Sequence, residues 1–230
     1  MRDISTTVPA QKSPGGSRSA WTWLAAFEVL LAAWVILLDL AIPSVLLVLL
    51  AAASLAVRRQ GPSCLGLQRP RCDHLIAGTA AFAVVWSLFQ LGVTMPLASH
   101  LSGQEQDMGV FADVEGDLAL LLLLLLLSWT LGALVEEVAF RGFLLTRLRE
   151  VLGQGPVALT VAILVSSVLF GVLHSEQGVV GVLAVTLDGV AFCLLRLYYG
   201  TLWAAVLAHG FNNTLGLVSF YLIGPVYGFW

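Results

Sequence analysis

Two adjacent carboxylates and an arginine follow a long apolar run in the second half of the chain. The run extends over residues 118–135, and Glu136, Glu137 and Arg141 come directly after it. A charged side chain near the centre of a bilayer costs roughly 2.5–3.5 kcal/mol on insertion scales, so ionisable residues in such a place indicate a functional site. A carboxyl group held there can act as a general acid or base. The alternative is that these charges only snorkel to a nearby membrane surface.

The spacing within this motif assigns different directions to its two carboxylates. Glu137 and Arg141 are four residues apart, so on a helix they share a face and are predicted to form an ion pair. Glu136 is rotated by about 100° from Glu137 and can point into a water-filled cavity. Repulsion between the neighbouring carboxylates favours a protonated form of one of them near neutral pH.

Two further motifs place histidines at helical spacing on later apolar segments. Phe170 and His174 form one i,i+4 pair, and His209 and Asn213 form the other. A single histidine in a membrane often only donates a hydrogen bond to another helix. With Glu136, the two histidines form a donor set that can bind Zn²⁺. The same residues can instead activate water directly, with Asn213 and a histidine stabilising an oxyanion.

The composition indicates which class of protein must position these residues. Of the 230 residues, 59% are apolar and 11% are charged, against about 25% charged in soluble domains. The chain is therefore predicted to be a polytopic membrane protein. One lysine in the whole chain argues against nucleic acid as a partner. Cys64, Cys72 and His74 match no standard metal-binding spacing, so a solvated loop is predicted there.

The apolar stretches predict an all-α fold, a polytopic transmembrane helical bundle of about seven spans with the chemistry on three helices of its C-terminal half. Residues 20–57 are too long for one span of about 20 residues, and Asp39 and Pro43 divide them into a hairpin. Three parts are predicted: a disordered cytoplasmic tail (1–19), N-terminal spans and loops (20–115) and a catalytic core (116–224). The predicted spans are about 21–38, 43–57, 75–98, 118 to 147–149, 157–174, 178–197 and 201–221.

The basic residues predict the orientation of this bundle. Seven spans place the acidic loop 100–117 on one side and nearly all the cations on the other: Arg2, Lys12, Arg18, Arg58, Arg59, Arg69, Arg71, Arg147, Arg149 and Arg196. Because cytoplasmic loops carry the excess of Lys and Arg, the N-terminus is predicted to be cytoplasmic. This topology leaves one difficulty. Glu136 lies towards the cytoplasmic half and His174 at the outer end of its span, roughly 28 Å of helix from Gly155.

The three motifs together resemble those of the CPBP family, also called Abi, which comprises CAAX proteases and bacteriocin-processing enzymes. The motifs occur in order as Glu136-Glu137-x-x-x-Arg141, Phe170-x-x-x-His174 and His209-x-x-x-Asn213, within residues 120–217. Each motif alone is weak, whereas the ordered set is specific.

The resemblance implies an intramembrane endopeptidase of the bilayer that cuts a membrane-embedded or lipid-anchored substrate, or a C-terminal CAAX-like tail. It implies that Glu136 is the base and that His174 helps to hold the water. His209 and Asn213 would stabilise the oxyanion, while Glu137, Arg141 and Phe170 orient the others. The resemblance leaves the cofactor open between Zn²⁺, bound by Glu136, His174 and His209, and a metal-independent glutamate mechanism.

Other functions are compatible with the same sequence. One is a non-catalytic bacteriocin-immunity or membrane scaffold protein with the same fold. Another is a small transporter in which Glu136 and Asp188 relay protons, although the chain has no convincing internal repeat. Outside that hypothesis, Asp188 is expected to form a structural ion pair with Arg141 or Arg196. Glu28 and Asp39 are expected at an interface or a hairpin turn, or along a substrate path.

Overall fold

The computed structural model describes residues 18–70 and 72–229, and these ranges contain long helices and no strand. Seven long helices run through them: α1 (Arg18–Leu37), α2 (Pro43–Arg58), α3 (Leu75–Ser102), α4 (Leu118–Leu152), α5 (Pro156–Val172), α6 (Gly178–Tyr199) and α7 (Leu202–Ile223). The predicted all-α bundle of about seven spans is confirmed. Most of the predicted tail 1–19 lies outside the described residues, as do Arg71 and Trp230.

Five of the seven helices are long and apolar enough to cross a membrane: α1, α3, α4, α6 and α7. The other two, α2 and α5, are apolar helices of 16 and 17 residues. At 1.5 Å per residue they reach about 24 and 26 Å, slightly less than the roughly 30 Å of hydrocarbon in a bilayer. The chain is thus a multi-pass integral membrane protein.

The turns between helices gather at two opposite ends of the bundle. At one end, the loop after α2 accepts a hydrogen bond from the start of α7, Leu202 N to Gly66 O at 2.8 Å. At the other end, the acidic loop donates from Gly116 N to Tyr221 O at 3.0 Å. We call these the basic end and the acidic end. The predicted separation of the basic loops from the acidic loop is therefore present in the fold.

The hairpin between α1 and α2 lies at the acidic end. Asp39 and Ala41 have φ angles of 47° and 54°, and Pro43 begins the next helix. Proline is favoured in a first helical turn because its missing N–H would be unpaired there in any case. Asp39 is exposed in this turn, as one of its expected roles required.

A buried ionic cluster joins α1, α2 and α4 near the basic end. Glu28 Oε2 accepts from Arg58 Nη2 at 2.9 Å and lies 3.1 Å from Arg147 Nε. Glu150 accepts from both arginines, at 3.0 and 2.9 Å. The alternative that Glu28 lines a substrate path is wrong, because the side chain is 3% exposed and pairs with arginines in this cluster. Two positive and two negative charges balance, which lowers the cost of their burial.

Proline causes the irregular winding of α3. Pro96 has no N–H to donate to the preceding turn, and residues Gln90–Thr94 before it form a π-helical segment. Leu91 O accepts instead from Phe229 N at 3.0 Å, so the C-terminal tail packs on this bend. Gly228, the residue before Phe229, has a φ angle of 135°, a backbone conformation that favours glycine.

Candidate active site

The first motif lies in the most irregular part of α4. Residues Ser128–Glu136 and Val138–Leu144 are both π-helical. Thr130 Oγ1 donates to Leu126 O at 2.7 Å, and Thr146 Oγ1 donates to Gly142 O at 2.6 Å. Threonine hydroxyls that bond back to the preceding turn bend helices. Single π-helical turns are common at functional sites, and here such winding directs both glutamates.

Glu137 is the central acceptor of the site. Its Oε1 accepts from Arg141 Nη1 and from His209 Nδ1, each at 2.9 Å, and the side chain is 0% exposed. The ion pair predicted from the i,i+4 spacing is confirmed, and the alternative that Glu137 snorkels to the surface is wrong. The bond to His209 was not predicted, because no sequence signal links two residues 72 positions apart.

Aromatic rings enclose the arginine and both histidines. The guanidinium of Arg141 lies 4.1 Å from the centroid of the Phe170 ring. Phe170 also meets His174 edge-on at 4.9 Å and His209 at 6.0 Å between ring centroids. Phe192 stacks on His209 at 5.1 Å. The structure thus brings His174 and His209 against one phenyl ring, and it adds Phe192, which no motif indicated.

Both histidines have one ring nitrogen occupied in the same way. His174 Nδ1 lies 2.9 Å from Phe170 O, and His209 Nδ1 lies 2.9 Å from a carboxylate oxygen of Glu137. A carbonyl or carboxylate oxygen only accepts, so each Nδ1 must be the donor. In the neutral ring the other nitrogen, Nε2, then carries the lone pair. Each Nε2 is the atom left to meet water or substrate.

Glu136 and Asn213 are the two unbonded members of the predicted set. Both are half-buried, and neither forms a hydrogen bond with another described residue. Glu136 is next along α4 to Glu137, whose carboxylate accepts from His209 Nδ1. Asn213 Nδ2 is 3.4 Å from where a Cβ on Gly132 would lie, one turn before Glu136. The free carboxylate and the free amide therefore belong to one region.

Two antiparallel helices of matched length bring His174 to the level of Glu136. From Glu136 to the end of α4 is about 24 Å of helix, and from the start of α5 to His174 is about 27 Å. Glu136 itself lies near the middle of α4. The apparent mismatch in depth is removed, because α4 extends far beyond Glu136 before the turn.

The residues proposed as zinc ligands do not form a metal site in this structure. The described residues contain no group of three His, Cys, Asp or Glu side chains that could hold one ion. Glu136, His174 and His209 therefore do not make a ready three-ligand set. Metal binding by these three residues stays a prediction, which elemental analysis of the purified protein would test.

The prediction that Asp188 forms an ion pair with Arg141 or Arg196 is wrong. Asp188 Oδ1 accepts from Gln90 Nε2 at 3.0 Å and from the indole Nε1 of Trp86. Arg196 instead donates to Leu65 O at 3.1 Å. Asp188 thus ties α6 to α3. Neutral donors on a neighbouring helix satisfy this carboxylate, and the sequence pattern did not distinguish them from an arginine.

Residues 118–215 match the family of type II CAAX prenyl endopeptidases, Rce1-like. The resemblance to CAAX proteases is confirmed. The match contains Glu136, His174, His209 and Asn213, and it runs from the start of α4 into α7. No curated protein and no solved structure matches the chain.

The Rce1-like segment does not stand alone in the bundle. α1, α2 and α3 precede it, yet they supply the partners of Arg147, Glu150 and Asp188. The segment that resembles the type II CAAX prenyl endopeptidases is therefore held in place by helices outside the match.

Proposed function

We propose that the chain is an intramembrane endopeptidase that hydrolyses a peptide bond near the C-terminus of a lipid-anchored, CAAX-like substrate. The observation that carries the proposal is the bond from His209 Nδ1 to Glu137, the chain neighbour of the unbonded Glu136, with His174 packed on the same phenyl ring as His209. This arrangement leaves one base and two directed Nε2 atoms in a membrane interior. The family match supports the same class of reaction.

In the proposed reaction, Glu136 removes a proton from a water molecule that His174 Nε2 orients by accepting its other hydrogen. The resulting hydroxide attacks the carbonyl carbon of the substrate, and the carbonyl oxygen becomes an oxyanion. Asn213 Nδ2 donates to that oxyanion, and His209 does so in its doubly protonated form, in which Nε2 also carries hydrogen. Glu136 then returns its proton to the amide nitrogen, the C–N bond breaks, and a carboxylic acid and an amine leave; the acid releases its remaining proton to water.

Glu137, Arg141 and Phe170 have positioning roles in this proposal. Glu137 fixes the direction of the His209 ring through Nδ1, as carboxylates do for histidines in many sites. Arg141 and Phe170 restrict the carboxylate and both rings by packing. None of the three needs to touch the substrate.

The test is hydrolysis of a peptide that ends in a CAAX sequence with an S-prenylated cysteine, using purified protein in lipid vesicles. We expect Glu136→Gln to lower kcat/KM by about 10²–10⁴-fold, the usual contribution of a general base. The matched control is Glu105→Gln, which changes an exposed glutamate of the acidic loop. Full activity of Glu136→Gln would overturn the mechanism. Absence of cleavage by the unchanged protein, with retained binding of the peptide, would favour the scaffold function.

A further inference from the structure

A line of polar side chains runs along the seam between α3 and α6, beside the candidate site. At its outer end, Gln106 of the acidic loop donates from Nε2 to Gln177 Oε1 at 2.8 Å. Gln106 lies against Gly181, where an added Cβ would come within 3.5 Å of its Cγ. The seam therefore begins at the acidic end of the bundle.

The same face of α6 meets a second glutamine further into the bundle. Gln90 Nε2 donates to Ala184 O at 3.1 Å and to Asp188 Oδ1 at 3.0 Å. Gly181, Ala184 and Asp188 follow one another at helical spacing and cover about 10 Å of α6. Thr94 lies one turn beyond Gln90 in the π-helical segment of α3.

Three oxygens of this seam are buried without a protein partner. Gln106 Oε1, Gln90 Oε1 and Thr94 Oγ1 have none among the described residues, and each side chain is less than 9% exposed. An unpaired buried polar group costs about 1–3 kcal/mol. Native proteins usually satisfy such groups with ordered water, which binds two to four polar partners at once. The three oxygens therefore mark places for water.

The inner end of the seam reaches the candidate site. Phe192 of α6 stacks on His209 of α7, and the two antiparallel helices are joined by a short turn. Asp188, one turn before Phe192, therefore lies level with the asparagine pair one turn after His209. Asn212 in that pair accepts from Ser87 Oγ of α3 at 2.8 Å. A polar belt formed by α3, α6 and α7 thus adjoins Asn213.

We propose that this seam holds a file of water molecules that connects the aqueous side of the acidic loop with Asn213. We further propose that the file delivers the water consumed in hydrolysis. The second statement rests on the proposed protease activity, whereas the first does not. Gly181 and Asp188, at the two ends of the seam, are seven residues or about 10 Å apart along α6. Hydrogen-bonded oxygens are roughly 2.8 Å apart, so a file of three or four waters spans that distance.

Thiol accessibility tests the water file directly. In a variant whose Cys64, Cys72 and Cys193 are replaced by serine or alanine, single cysteines are placed at Thr94 and at its neighbour Val93, which is exposed towards lipid. Silver ion or a small cationic methanethiosulfonate is added from the acidic side of sealed vesicles. Because the thiolate is the reactive form and requires water, we expect Thr94→Cys to react on the order of tenfold faster than Val93→Cys.

The experiment separates the inference from the proposed activity, because mass spectrometry reads the modification without any turnover. Gln106→Cys at the outer mouth serves as a second reporter and is expected to react before Thr94→Cys. Equal rates for Thr94→Cys and Val93→Cys would mean a dry seam and would overturn the inference. Modification of Thr94→Cys only from the opposite side would also overturn it, since the water would then come from the basic end.

Discussion

At the scale of single residues, one oxygen of Glu137 serves two partners. Oε1 accepts from both Arg141 and His209, while Oε2 is buried without a partner among the described residues. Removing the carboxylate would leave the charge of Arg141 buried and uncompensated. Breaking a buried pair in this way costs about 3–5 kcal/mol, whereas replacing both partners by apolar residues is often neutral.

This coupling predicts different outcomes for stability and for activity. We expect Glu137→Ala to lower the free energy of unfolding by about 3–5 kcal/mol. The double variant Glu137→Ala/Arg141→Met should recover most of that loss, yet stay inactive because His209 loses the acceptor that orients it. Thermal unfolding in detergent and cleavage of the prenylated peptide measure the two quantities. A double variant with restored activity would contradict the positioning role of Glu137.

The contacts that the sequence could predict are those within one helix. The pair of Glu137 and Arg141 follows from a spacing of four residues. The partners of His209 and Asp188 lie on other helices, 72 and 98 or more positions away. Such pairs depend on the rotation of each helix in the bundle, and an apolar run does not reveal that rotation.

At the scale of helices, α5 and α6 pack closely because glycines remove side chains from their interface. A Cβ on Gly171 would lie 2.0 Å from Thr186 Oγ1 and 2.6 Å from Val182 O, and one on Gly189 would lie 2.7 Å from Ser167 Cβ. Small residues allow such approach between membrane helices. Since His174 follows Gly171 by one turn, this packing also positions His174.

We therefore expect Gly171→Ala to push α5 away from α6, because the nearest obstacle includes backbone that cannot rotate aside. The cost of such overpacking is about 1–3 kcal/mol, and cleavage should fall with it. Gly216→Ala in α7 is the matched control, since an added Cβ there meets nothing within 4 Å. It should leave activity unchanged and raise stability by up to about 1 kcal/mol. Equal melting temperatures for the two variants would refute this account of the packing.

Helix boundaries were predicted within a few residues, because each lies where an apolar run meets charge, glycine or proline. The π-helical segments of α3 and α4 were not predicted. They depend on which backbone carbonyls accept a hydrogen bond from a threonine hydroxyl, as Leu126 O does from Thr130, and on which lose their N–H donor because of Pro96. The hydropathy of a segment does not depend on whether it winds as an α-helix or a π-helix. The direction in which the Glu136 side chain points is therefore not predictable from the apolar pattern.

At the scale of the whole molecule, the two ends of the bundle differ in charge. The basic end carries the loop after α2 and the turns after α4 and α6, and the acidic end carries the loop before α4. The excess of arginine predicts that the basic end faces the cytoplasm. Native thiols on the loop after α2 provide a direct test of this orientation.

In intact cells, a membrane-impermeant maleimide should not label the protein until the membrane is permeabilised. Exposed Cys72 should then carry the label, since Cys193 is buried. Desolvation by burial raises the pKa of the Cys64 thiol, which lowers its thiolate fraction near pH 7 and slows its reaction. Cys72→Ser should remove most of the signal, and Asp113→Cys in the acidic loop should react before permeabilisation. Labelling of Cys72 in intact cells would reverse the topology.

The ionic cluster of Glu28, Arg58, Arg147 and Glu150 also bears on how the chain enters the membrane during synthesis. Arg58 and Glu150 are 92 positions apart in the chain. Synthesis proceeds at about 5–20 residues per second, so Glu150 is made at least several seconds after Arg58. Each half is already neutral in that interval, because Glu28 pairs with Arg58 and Glu150 pairs with Arg147. The α1–α2 hairpin and α4 thus each bring their own counterion, so neither part of this cluster has to enter the membrane with an unpaired charge.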